Sequence, residues 1–139
     1  MHRTLLDAYR RTAFVANTPS GRLSLRIGQR STALDDLLAE HGVTTWAYVT
    51  AFNPGSIVLT PQENMARQRE LEREVASWGF ATFSGEGVGD DGRWPAEPSL
   101  LVLGIGRSDA VQLGRRFGQI AIVYGELGGE AELLTASPA

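Results

Sequence analysis

Three short apolar runs set the tightest limit on what this chain can fold into: Thr45–Phe52 (TWAYVTAF), Ser99–Ile105 and Gln119–Tyr124. Each is short for a helix and places apolar residues at odd and even positions alike. Such runs predict buried strands, covered on both faces by other layers of the protein. Helical segments separate them. Thr60-Pro61-Gln62-Glu63 carries an N-cap threonine, a proline at the first helical position and a glutamate that closes a capping box. The helix it opens is predicted to run to Trp78, burying Leu71, Val75 and Trp78, with Gly79 as its stop. A second helix is predicted over Ser108–Phe117, with Ala110, Leu113, Gly114 and Phe117 along one stripe and Gly118 after it.

The remaining segments fill in around this centre. A short helix is predicted over 2–11, then a hairpin of Thr12–Asn17 and Arg22–Ile27 joined by Thr18-Pro19-Ser20-Gly21. In the second of these runs Leu23, Leu25 and Ile27 alternate with Arg22, Ser24 and Arg26, the pattern of a strand with one wet face. A helix follows over 32–41, with Leu34, Leu37, Leu38 and His41 on one side. Phe80–Ser84 reads as a strand, Gly85–Pro98 as a glycine-rich acidic loop, and Ala131–Thr135 as a last strand. The fold class is therefore α/β in its mixed form. We expect one layer of mixed parallel and antiparallel sheet, of six to seven strands, flanked by three to four helices. The two strand–helix–strand units, 45–84 and 99–124, are expected to pair in parallel. Neither repeat nor linker divides the chain, so residues 1–139 are expected to form a single domain.

Composition narrows the chemistry. With no cysteine, the sequence has no disulfide, thiolate metal ligand or thiol nucleophile. All 13 basic residues are arginine, so there is no lysine for a Schiff base or a phosphate loop. A GC-rich bacterial genome accounts for that bias without reference to function. The net charge of −3 gives no sign of a nucleic-acid or anionic-membrane partner. The opening MHRTLLDAYRR lacks the apolar run of a signal peptide, which leads us to expect a cytoplasmic protein.

Candidate binding residues follow from the expected parallel topology, in which ligands gather beyond the carboxyl ends of strands. That rule points to Phe52-Asn53-Pro54-Gly55-Ser56, which leads into the helix at Pro61. The buried stripe of that helix, traced back from Leu71, becomes Gln68, Arg67 and Asn64. Buried polar groups need partners, and an inward arginine near a helix N-terminus favours an anion. The alternative is structural, with Asn53 capping a turn and Arg67 paired with Glu63 or with the acidic loop. That loop carries Glu86, Asp90, Asp91 and Glu97 without the ligand spacing of a calcium site, so no metal is expected. Its length suggests a lid anchored by Trp94. His2 and His41 fit helix-end positions better than catalytic ones, and Arg22, Arg26 and Arg30 fit a solvated face. No serine lies in a nucleophile elbow, and Gly85-x-Gly87-x-Gly89 lacks dinucleotide-site spacing, so the sequence names no cofactor.

From Leu5 to Leu134 the chain resembles an uncharacterised bacterial family, domain of unknown function 3293. The resemblance rests on Thr50-Ala51-Phe52-Asn53-Pro54, on Glu63-Asn64-x-x-Arg67 with Leu71, on Glu97-Pro98-Ser99-Leu100-Leu101-Val102-Leu103-Gly104, and on Arg116-Phe117-Gly118-Gln119-x-Ala121-x-x-Tyr124-Gly125. It implies no activity, cofactor or catalytic residue, but it adds Gln119 to the polar cluster. The expectation is a binding domain for a small anionic molecule held by Asn53, Asn64, Arg67, Gln119 and Glu97. If it is an enzyme, it works through carboxylates and arginine. The rival expectation is an interaction module that docks a protein along an exposed strand edge or the Arg22/Arg26 face.

Overall fold

The computed structural model describes residues 3–92 and 95–136. Among them the chain runs α1 (Arg3–Arg10), β1 (Thr12–Thr18), β2 (Gly21–Leu25), α2 (Thr32–Glu40) and β3 (Thr45–Val49). A single 3-10 turn at Pro54–Ser56 precedes α3 (Pro61–Ser77), β4 (Ala81–Gly89), β5 (Glu97–Leu103), α4 (Arg107–Arg116), β6 (Ala121–Glu126) and β7 (Glu132–Thr135). The Thr60 hydroxyl and the Glu63 carboxylate form the reciprocal capping box of α3, and Ser31 caps α2. None of the described helices is long and apolar enough to cross a membrane.

The seven strands form one sheet in the order β2-β1-β4-β5-β3-β6-β7. Every strand pair in it is antiparallel, so the expected mixture of parallel and antiparallel pairing is not borne out. The reason lies in how the two crossover units interleave. β3 and β4, joined through α3, run the same way, but β5 sits between them; β5 and β6, joined through α4, are separated by β3. Residues 45–126 thus form the split β-α-β-β-α-β arrangement of ferredoxin-like folds. The hairpin β1–β2 widens that sheet beyond β4, and β7 widens it beyond β6. The sheet curls until its two edges touch, at a lone parallel bridge between Ile27 and Ala131.

Two cores follow from this curl. On one face α3 and α4 pack through Leu71, Val75, Ala110 and Leu113 onto Ala47, Val49, Leu100 and Val102. Leu71 and Val75 are fully buried, each removed from water at a gain of about 1.5–3 kcal/mol. On the other, concave face α2 places Leu34, Leu37 and Leu38 against Leu25, Trp46, Leu101 and Leu103. Trp78 is not part of the α3 stripe: it is the C-cap, 40% exposed, with its ring edge-on to Phe80.

The acidic segment also differs from expectation. β4 extends to Gly89 and β5 begins at Glu97, so half of 85–98 is strand rather than loop. Gly85 answers to close approach: a Cβ there would lie 1.8 Å from the carbonyl oxygen of Val15 on β1. Glu86 and Asp90 reach across β1 to Arg22 (3.0 Å) and, with both oxygens, to Arg26 (2.8 and 3.0 Å). Trp94, expected as the anchor of a lid, and His2 lie outside the described residues.

Candidate functional site

The concave face is filled by α2 at one end only. At the other end its three central strands turn polar together. On β5 the concave-facing positions run Leu103, Leu101, Ser99, Glu97; on β3 and just beyond, Trp46, Tyr48, Thr50; on β6 and just before it, Val123, Ala121, Gln119. Antiparallel register aligns these changes, because Tyr48 pairs with Leu101 on one side and Val123 on the other. The polar ends surround a cavity of about 400 Å³, walled on its outer side by Asp7 and Tyr9 of α1. Phe14, Tyr48, Ala121 and Val123 supply its apolar lining.

Glu97 is the most unusual group in this cavity. Burial pushes its carboxyl above the ordinary range, against the opposing effect of one hydrogen bond from Asn53 Nδ2 to Glu97 Oε2 (3.0 Å). Burial, with the nearby Glu97 charge, also pushes the Tyr9 phenol up to about 12. Tyr48 is raised further by burial and donates its hydroxyl to the Val15 carbonyl at 2.6 Å. Both phenols therefore stay protonated at neutral pH. Ser99, 4% exposed, donates to the Glu97 carbonyl (2.9 Å), and Thr50 donates to the Pro98 carbonyl (2.8 Å).

Behind the wall lies a polar network that holds it in place. Asn53 adopts a left-handed backbone (φ 45°, ψ 64°), a conformation that asparagine tolerates better than most residues. Its backbone N–H donates to Asn64 Oδ1 (2.9 Å), and Asn64 Nδ2 donates back to Asn53 Oδ1 (2.8 Å). Asn64 on α3 thus orients the amide that grips Glu97. Gln68 Oε1 accepts from the Ala51 N–H at 3.0 Å, while its Nε2 is buried without a partner. Arg67 Nε donates to the Ala51 carbonyl (3.0 Å), and its Nη2 donates to the carbonyl of Phe117. Gln119 Nε2 bridges the carbonyls of Phe52 (3.0 Å) and Phe117 (3.3 Å).

The structure therefore divides the five residues singled out from the sequence. Glu97 and Gln119 line the cavity; Asn53, Asn64 and Arg67 stand behind it and tie the β3–α3 connection to the turn before β6. Arg67 pairs with neither Glu63 nor the acidic segment, but with backbone carbonyls. Tyr9, Tyr48, Thr50 and Ser99 were missed. Alternation along Glu97, Ser99, Leu101 and Leu103 carried the signal for one of them, since it marks a strand face that changes from polar to apolar. Among the described residues no group of three or more His, Cys, Asp or Glu side chains is placed to hold a metal ion.

Fold and site together define a split β-α-β domain whose free sheet face is half filled by a helix and half hollow. The chain matches the family described as "Protein of unknown function (DUF3293)" over residues 49–122, more than half its length, and it belongs to that family. The matched stretch holds the Asn53–Asn64–Arg67 network with Glu97 and Gln119, and leaves out the α1 wall of the cavity. Neither the curated proteins nor the solved structures include a match to this chain.

Proposed function

We propose that this single domain binds a small molecule in the concave cavity, with Glu97 and Gln119 as its polar anchors. The observation that carries the reading is the joint change from apolar to polar of β5, β3 and β6 at one end of the same face. Cavity size agrees, since about 400 Å³ lies within the roughly 300–1,000 Å³ range of small-molecule sites. The lining also has the composition of such sites, an apolar base with a few convergent polar groups. A net charge of −3 supports a ligand other than nucleic acid, and the cysteine-free composition supports a cytoplasmic location.

Docking along a strand edge has less support. The edge strands β2 and β7 are five and four residues long, and the curl joins them at Ile27–Ala131.

A thermal-shift screen of small polar metabolites tests the proposal. A ligand present at 100 times its Kd stabilises the native state by about 2.7 kcal/mol. The expected result is a clear rise in Tm with wild type that Glu97→Gln greatly reduces. Hits that stabilise Glu97→Gln as strongly as wild type would place the binding site elsewhere.

A further inference from the structure

The lining of the cavity also limits the charge of what enters it. Asp7 and Glu97 both face the cavity, and neither has an ion-pair partner among the described residues. Asp90 also lines it but is neutralised by its two hydrogen bonds to Arg26. Among the described residues the cation on the wall is Arg11, whose side chain is exposed. Uncompensated negative charge among the described residues thus lies inside the cavity, and the positive charge lies toward solvent.

A second observation, independent of the carboxylates, points the same way. Gln119 is only 7% exposed, and its amide nitrogen is committed to the carbonyls of Phe52 and Phe117. That fixes which way round the amide sits. Its Oε1 accepts no hydrogen bond from the described residues and is not sealed from solvent, so the open side of this residue is an acceptor. Glu97 is held in a similar way: Asn53 takes Oε2, and Oε1 is left without a donor among the described residues. The rings of Tyr9, Tyr48 and Phe14 line the same space, and an aromatic face attracts a cation within about 6 Å.

We infer that the cavity takes a compact cation rich in hydrogen-bond donors, an alkylammonium or amidinium group on a small apolar body, with Glu97 Oε1 and Gln119 Oε1 accepting from it. This rests on the cavity being the binding site. It replaces the anion expected from the sequence, because the arginine that suggested an anion, Arg67, spends its donors on two backbone carbonyls behind the wall.

Matched compounds that differ only in charge test the inference. Benzamidinium, benzamide and benzoate form one set; butylammonium, butanol and butyrate form the other. Each is titrated into the full chain at pH 7.5 by protein-observed NMR. The cations are expected to bind at least ten-fold tighter than the neutral compounds, with no detectable binding of the carboxylates. Glu97→Gln, which can still accept the Asn53 hydrogen bond, is expected to weaken the cations at least ten-fold. Arg11→Gln, at an exposed position, is expected to tighten them two- to five-fold, which keeps a readout should Glu97→Gln fold poorly. Tighter binding of the neutral compounds or carboxylates, or cation affinities indifferent to both substitutions, would overturn the ligand class and leave the cavity standing. Binding of no compound in either set would overturn the cavity as well.

Discussion

Glu97 is a carboxylate held in a place that opposes its charge. In the folded protein it favours the protonated form more than it does in the unfolded chain. The native state therefore holds this proton more tightly, and that contribution to stability is complete below the ordinary glutamate range. It is lost as pH rises through the raised folded value. Glu97→Gln keeps a neutral side chain at every pH. It is expected to match wild type near pH 4 and to exceed it in stability at pH 7, as read by urea unfolding at each pH. A variant less stable than wild type at pH 7 would mean the carboxylate is compensated by a partner. Arg67 behaves in the opposite sense. Its guanidinium serves two carbonyls from different segments, and hydrogen bonds from charged donors contribute about 1.5–3 kcal/mol each. Arg67→Met is expected to destabilise the protein by about 2–4 kcal/mol; an unchanged unfolding midpoint would show that these bonds are dispensable. The inward direction of Arg67, Asn64 and Gln68 was legible from helical spacing alone. Their partners were not, because Ala51 and Phe117 come together only after both crossovers have closed.

At the level of elements, the strands and helices were mostly legible from periodicity and caps, while their neighbours were not. The order β-α-β-β-α-β can be read from Thr45 to Tyr124. A rule for adjacent parallel strands then pairs each crossover's two strands with one another, whereas the chain places a strand of the other unit between them. Part of the candidate site survived because β3 ends and β5 and β6 begin at the same end of the sheet, whichever way they pair. The glycines of 85–89 misled for a local reason. They look like loop residues, yet they lie in β4, and Gly85 lets that strand approach β1 at a distance no side chain permits. Gly85→Ala would put a methyl group within 1.8 Å of the Val15 carbonyl oxygen, backbone against backbone. It is expected to destabilise the fold by about 3 kcal/mol or more, in the manner of other severe overpacking. A neutral effect on the melting temperature would contradict the β1–β4 pairing register.

For the molecule as a whole, the account turns on a sheet that curls around one helix and is longer than that helix can fill. α2 covers the apolar end of the concave face, α3 and α4 cover the convex core, and the remaining polar end becomes a cavity beside α1. Charged pairs across β1–β2–β4 are partly solvated and contribute little to stability. The most direct measurement is an amide-resolved NMR titration of the wild-type chain with a mixed library of small fragments. Shifts are expected to concentrate at Thr50, Glu97, Ser99, Gln119 and Ala121, leaving Arg22–Leu25 and Trp78 unmoved. Shifts confined to Arg22, Arg26 and Glu86, or to the free edges of β2 and β7, would contradict the account and favour a surface that docks other proteins.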